Sequence, residues 1–184
     1  RSDAVERLRA GQLVGIFPEA PISRSFELKE FKNGAARIAA EADAPLIPMV
    51  IWGSQRIWTK GHPKRLGRTN TPVFIRIGEP IDPSGSPDEA IARLKDAMQV
   101  LLDRVKDDYT RAYGPFPAGE YWIPAEDGGS APTLIDARRI DTEAKAAKAA
   151  KAEKKAAAKL DKRADAKLGN ARSFIDMVKE KLRR

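Results

Sequence analysis

The sequence predicts an α/β fold, a layered sheet flanked by helices, joined to a Lys/Ala-rich helical tail. Three observations predict it. Short apolar runs of strand length alternate with longer amphipathic segments. Of the 184 residues, 42% are hydrophobic, which suffices for one packed core of ordinary size. Charge is segregated as well. Residues 1–136 hold 18 Lys+Arg against 19 Asp+Glu, whereas residues 137–184 hold 16 against 7, so the whole basic excess of +8 lies in the tail.

Residues 2–10, SDAVERLRA, read as the end of a helix, and Gly11 suits its stop. QLVGIF, residues 12–17, has the composition of a buried strand, apolar on both faces if the sheet is parallel. EFKNGAARIAAEAD is alanine-rich and helical, with Ile38 and the alanines as its close-packing face. APLIPMVIWG predicts a second buried strand whose two prolines favour an edge or an irregular start. TPVFIRIGEPI alternates as a half-covered strand does. Residues 86–113 form the clearest helix. Ser86 and Glu89 make a capping box around Pro87, and Ile91, Leu94, Met98, Leu101, Leu102, Val105 and Tyr109 line one stripe.

From Gly114 to Pro132 the chain is rich in Pro and Gly. Phe116, Tyr121, Trp122 and Ile123 mark this stretch as an ordered wrap packed back on the domain. The domain is expected to cover residues 1–131 and the tail residues 132–184. In the tail, Lys145, Lys148, Lys151, Lys155, Lys159 and Lys162 advance by three or four residues, making one basic stripe on a helix. Gly169 and Asn170 interrupt the pattern. A short amphipathic helix then restarts, with Phe174, Ile175, Val178 and Leu182 on one side.

Several classes of chemistry are excluded or disfavoured. Without cysteine there are no disulfides and no thiolate metal sites, and a reducing compartment fits. The longest apolar run falls far short of the roughly 20 residues that span a bilayer, and no signal peptide is visible. No Gly-x-Ser-x-Gly elbow, Walker loop or dinucleotide glycine pattern occurs, and no metal or cofactor is called for.

The chemistry-bearing stretch is GIFPEAPISRS, Gly15–Ser25. A strand that ends in Phe17 and Pro18 delivers Glu19 to its carboxyl end, where open α/β sheets bind ligands. Pro18 fixes the backbone before the acid. Arg24 follows on the loop, where its planar guanidinium suits a phosphate or carboxylate, and Ser23 and Ser25 add hydroxyls for the same oxyanion. One acid and one base on a rigid loop can hold a substrate bearing hydroxyl and phosphate groups. Glu19 and Arg24 equally fit a surface ion pair worth about 0–1 kcal/mol, and the residues alone do not choose.

The segment FPEAPISRS…FKNGAARIAAEADAPLIPMVIWGSQRI resembles the glycerolphosphate and lysophospholipid (1-acylglycerol-3-phosphate) acyltransferase family over about residues 12–82. Its third motif reads Phe-Pro-Glu-Gly-Thr-Arg-Ser, and Phe17, Pro18, Glu19, Arg24 and Ser25 match its start and end. Phe31, Lys32 and Gly34 match the following segment, and Pro45 to Ile51 match the fourth motif. Ala20 departs from the usual glycine, and two extra residues precede Arg24, so the loop must bulge to bring Arg24 to a phosphate, and Ser23 is the alternative for part of that role. The resemblance implies substrate-binding roles for Phe17, Pro18, Glu19, Ser23, Arg24 and Ser25. It also implies transfer of an acyl chain from acyl-CoA or acyl carrier protein to a lysophospholipid-type acceptor.

In that family a His-x-x-x-x-Asp motif upstream supplies the general base. This chain lacks it, and a start at Arg1 is what a piece of a longer protein would show. The only histidine, His62, is followed five residues later by Gly67 and reads as a solvated loop residue. Residues 56–68 hold five basic residues and no acid. They fit either a patch for coenzyme A phosphates or anionic headgroups, with Trp52 and Trp58 near a membrane, or a plain solvated loop with core tryptophans. The tail has three readings: attachment to an anionic membrane, non-specific nucleic-acid binding, or a solvated extension. The resemblance favours the first, and with it a cytoplasmic protein peripheral on the inner face of the membrane.

Overall fold

The computed structural model describes residues 2–19 and 23–182, with the last helix given as backbone beyond Leu160 except at Lys179. Two units make up the chain, residues 1–137 and residues 138–184.

The first unit is built on one long helix, α3, Pro87–Tyr113. Ser86 accepts the N–H of Glu89 at 3.2 Å, and the Glu89 carboxylate accepts the N–H of Ser86 at 3.0 Å, completing the capping box expected from sequence. The predicted stripe is the buried one. Its N-terminal half (Ala90, Ile91, Leu94) packs with Leu46 and with Ala35, Ala36 and Ala39 of α2, Gly34–Ala42. The alanines of α2 are the packing face, while Ile38 is only half-buried. Ahead of it, α1 (Ser2–Arg9) buries Val5 and ties down through Arg9, which donates to the Glu41 carbonyl at 2.7 Å.

The C-terminal half of α3 (Leu101, Leu102, Val105, Tyr109) covers one face of a two-stranded antiparallel sheet. Its strands are β1, Met49–Trp52, and β2, Phe74–Ile77. An isolated bridge between Leu46 and Ile81 continues the pairing past Pro48, giving the irregular start that the prolines predicted. Val50 and Trp52 are buried under α3, joined by Trp122 from the wrap. Phe116, Tyr121 and Ile123 pack against the same cluster, as expected. Lys106 of α3 holds the wrap by donating to Asp127 at 2.8 Å.

Three expectations are corrected. Residues 12–17 form no strand. Leu13 is 98% and Phe17 85% exposed, because no neighbouring strand among the described residues offers this segment a ladder. β1 is covered on one face only: Met49 and Ile51 are exposed. β2 does alternate, but its apolar set points the other way. Phe74 faces α3, and Arg76 pairs with Asp108 of α3, which leaves Ile75 and Ile77 opposite Ile51 and Met49 on the uncovered face. The sheet is antiparallel throughout, so the parallel alternative does not apply.

The second unit belongs to α4, Leu134–Leu182. Lys145, Lys148, Lys151, Lys155 and Lys159 are exposed along it. The helix runs unbroken through Gly169 and Asn170, since one helical glycine costs only about 1 kcal/mol. The positions of the Lys162, Phe174, Ile175, Val178 and Leu182 side chains lie outside the described residues.

Two substitutions test this frame by thermal or urea unfolding. Ser86→Ala removes half of the capping box and should cost about 1 kcal/mol. Gly53 has φ +98°, and a Cβ there would lie 2.3 Å from the Pro72 carbonyl oxygen. Gly53→Ala should therefore cost about 2 kcal/mol or more, from left-handed backbone plus a backbone clash. A smaller loss than for Ser86→Ala would mean the β1–β2 connection is not held as described.

Candidate functional site

Pro18 and Glu19 sit where the exposed 12–17 segment turns inward. The Pro18 carbonyl accepts the N–H of Lys32 at 3.0 Å, which lays residues 17–19 beside residues 29–32. This second segment is in turn fixed to the core: Phe31 packs beside α2 and α3, and Gly34 opens α2. Asn33 donates to Asp88 of α3 at 2.8 Å. Residues 31, 32 and 34 of the second motif segment thus form the footing of Glu19.

Glu19 is half-buried. Burial raises its carboxyl above the ordinary value, while the backbone N–H of Lys29 and the ammonium groups of Lys29 and Lys95 pull the other way and only partly compensate. Neither lysine was singled out from sequence. Lys29 lies ten positions on, and Lys95 arrives from α3, so no local pattern announces them.

Ser23, Arg24 and Ser25 lie on the next turn. Ser25 is fully buried, and the Ser23 and Ser25 hydroxyl oxygens are 3.1 Å apart. Ser23 donates to the Glu27 carbonyl at 3.1 Å, and the Glu27 N–H donates to Ser25 at 3.4 Å. These hydroxyls brace the turn around Phe26, whose φ is +60°, a left-handed conformation that only a well-supported turn gives a bulky residue. Ser23 and Ser25 therefore act within the turn in this structure. Ala20 and the two extra residues, where the loop was expected to bulge, lie outside the described residues. Phe17 is 85% exposed.

The Arg24 guanidinium extends to the basic connection between β1 and β2. A Cβ placed on Gly61 would lie 3.3 Å from its Nη1. The connection is anchored from beneath. Arg56 stacks over the Trp122 and Phe116 rings at 4.6 and 5.4 Å and donates to the Tyr109 hydroxyl at 2.9 Å. Tyr121 donates to the Arg56 carbonyl at 3.2 Å, and His62 stacks on Tyr121 with ring centroids 4.2 Å apart. His62 is thus exposed, as read from sequence, but is pinned by a ring. Of the two tryptophans offered as membrane anchors, Trp52 is core and Trp58 is exposed beneath Lys64, 4.0 Å from the ring. Among the described residues no group of three or more His, Asp or Glu could hold a metal, and no helix is long and apolar enough to cross a membrane.

A family model described as Acyltransferase matches residues 1–52, the stretch that ends just after the fourth motif. Residues 1–52 are therefore similar to an acyltransferase domain. The chain's curated relatives agree. The chain is 30% identical over 100 residues to the chloroplastic 1-acyl-sn-glycerol-3-phosphate acyltransferase BAT2 of Brassica napus, covering 53% of this chain and 28% of that one. It is 26% identical over 88 residues to the 1-acyl-sn-glycerol-3-phosphate acyltransferase of Limnanthes douglasii, covering 48% of this chain and 29% of that one. A solved 1-acyl-sn-glycerophosphate acyltransferase, PlsC from Thermotoga maritima, is 28% identical with a TM-score of 0.48, covering 57% of this chain and 43% of that one. The matched stretch spans less than a third of the length of these curated relatives.

The geometry gives Glu19 a testable signature. Its folded-state pKa is raised, so the folded chain binds more protons than the unfolded chain just above pH 4.5. Stability should therefore fall as pH rises through that region, with the desolvation cost fully present at neutral pH. Glu19→Gln should raise the midpoint of thermal unfolding at pH 7 and flatten its dependence between about pH 4 and 6. An unchanged profile would place Glu19 in full solvent.

Proposed function

We propose that this chain is the acceptor-binding part of a 1-acylglycerol-3-phosphate acyltransferase of phospholipid biosynthesis. The reaction transfers an acyl group from acyl-CoA or acyl carrier protein to a lysophospholipid-type acceptor. The acceptor hydroxyl attacks the thioester carbonyl, an ester bond forms, the carbon–sulfur bond breaks, and the thiol leaves with the proton taken from the hydroxyl. Residues 1–184 contain no His-x-x-x-x-Asp pair, so the share of the reaction assigned to them is holding the acceptor.

The observation that carries the reading is the half-buried Glu19 on its proline-fixed element, beside Lys29 and followed by Arg24. An ionised carboxylate accepts a hydrogen bond from an acceptor hydroxyl, and a partly dry setting strengthens that bond. Arg24 supplies a planar cation for the acceptor phosphate. Phe17 leaves an apolar edge on which the acyl chain of the acceptor can rest.

The basic helix α4 adds a partner. Five exposed lysines along it suit an anionic bilayer surface, each contributing about 1 kcal/mol at most, and they support a peripheral position on the inner face of the membrane. The same lysines support a second reading, a non-catalytic lipid- or nucleic-acid-binding protein acting through the tail.

Titration calorimetry separates the two. Short-chain lysophosphatidate should bind the chain, and Glu19→Gln should weaken it by about 10–100-fold, the range of a hydrogen bond to a charged group. Affinity should fall on acidification at a pH above that of an ordinary glutamate. Equal binding by Glu19→Gln and the parent would sink the acceptor-site reading. Anionic vesicles should be preferred over neutral vesicles and duplex DNA, with the preference lost at high salt; tighter binding to DNA would favour the second reading.

A further inference from the structure

The proposed acceptor site makes no use of Trp58, Leu66 or the cations around them on the β1–β2 connection. The Arg65 N–H donates to the Ile57 carbonyl at 2.8 Å, closing residues 57–65 into one turn. The turn sets Lys64 over Trp58, with the ammonium 4.0 Å from the ring centroid. Its base is held in place: Arg56 lies over the Trp122 ring, and His62 stacks on Tyr121. What this anchored turn presents to solvent is mixed. Trp58 is 57% and Leu66 71% exposed, and Lys64, Arg65 and Arg68 are exposed in the same short stretch. No aspartate or glutamate occurs anywhere in residues 44–78.

An anchored turn that keeps an indole and a leucine in water gives up the stability their burial would bring. An indole has an apolar body and one polar N–H, which suits the boundary between headgroups and acyl chains. A lysine beside it can lay its methylenes along the apolar layer and keep its ammonium among the headgroups. Stacked bases would also accept Trp58 and the cations, but they offer little to an exposed leucine on the same stretch. We propose that residues 57–68 are a membrane-docking surface. Trp58 and Leu66 enter the headgroup boundary of an anionic bilayer, and Lys64, Arg65 and Arg68 lie among its headgroups. The inference rests on the proposed membrane partner and adds to α4 an apolar contact that salt does not screen. The Arg24 side chain reaches this turn at Gly61, so a bilayer held here lies next to the turn that follows Glu19.

Tryptophan fluorescence of the full 184-residue chain tests this directly. Of its three tryptophans, Trp52 and Trp122 are buried and Trp58 is exposed, so a change on docking reports on Trp58. The probes are vesicles of phosphatidylcholine with phosphatidylglycerol, vesicles of phosphatidylcholine alone, and duplex DNA. Trp58→Phe removes the reporter and keeps an aromatic ring. Leu66→Ser and Lys64→Gln each alter one exposed group. Lys154→Gln, exposed on α4, is the control for charge on the tail.

Anionic vesicles are expected to shift the emission to the blue, and lipids brominated along their acyl chains to quench it. Trp58→Phe should abolish both changes. Leu66→Ser should weaken vesicle binding about tenfold, as loss of one buried leucine implies, and Lys64→Gln about fivefold at low salt. Lys154→Gln should leave the blue shift at saturating lipid unchanged. Vesicle binding without any change in Trp58 emission would overturn the docking surface and leave the tail as the membrane contact. A chain that binds no anionic vesicles would overturn both. An equal shift with neutral vesicles would overturn the role given to the cations, and a shift with duplex DNA but not with vesicles would overturn the lipid assignment.

Discussion

Tyr109 is the residue on which the loops of this protein depend. Its ring is fully buried in the C-terminal half of α3, among Phe74, Phe116 and Trp122. Its hydroxyl donates to the Pro72 carbonyl and accepts from Arg56, so a single phenol holds both ends of the β1–β2 connection. A buried hydroxyl without partners would carry a penalty of about 1–3 kcal/mol, and here both of its hydrogen-bonding capacities are used. The same geometry explains Gly53. The Pro72 carbonyl and the Tyr109 ring occupy the space where its Cβ would be, so the strand can leave β1 only through a residue without one. Arg56 illustrates how sequence and structure divide a basic run. It lies in the same cation-rich stretch as Lys60 and Arg65, yet it is turned inward over aromatic faces and contributes to the scaffold.

What was legible from sequence follows from how local each signal is. The limits of α3, its capping box and its buried stripe rest on interactions within one helix, and all of them could be read from residues 86–114. The wrap could be read because a Pro/Gly-rich segment with four large apolar residues has few ways to bury them. The strands were less legible. An apolar run such as QLVGIF states that a segment suits burial, but the partner that would cover it lies elsewhere, and among the described residues residues 12–17 have no ladder. In β2 the alternation was real and its direction was not readable. The pairing of Arg76 with Asp108 and the packing of Phe74 decide which face meets α3.

The site shows the same division. Phe17, Pro18 and Glu19 stand on a recognisable motif, and the structure anchors that element through Lys32 and Phe31. Lys29, Lys95 and Gly61 come to Glu19 and Arg24 only through folding, and no spacing along the chain connects them. Ser23 and Ser25 are the opposite case. Their composition suggested anion-binding hydroxyls, yet a serine two residues from another can instead satisfy backbone groups in a tight turn, and the left-handed Phe26 requires that support.

The electrostatics of Glu19 then bear on why the site is built this way. Burial and positive neighbours oppose each other at this carboxyl, and burial prevails, since the net shift is upward. An element chosen for stability alone would place an apolar or neutral residue there, because a desolvated carboxylate lowers stability at neutral pH. Retaining the acid fits a group kept ready to accept a hydrogen bond from a ligand. Its leading cations, Lys29 and Lys95, and the Gly61 turn that receives the Arg24 guanidinium come from different parts of the chain. Acid and base are thereby drawn toward separate supports, one beside α3 and one on the β1–β2 connection. On the proposed acceptor reading, a ligand with a hydroxyl and a phosphate would meet two such groups, each with its own footing. A tight surface ion pair between them would satisfy both charges and leave neither to recognise a ligand.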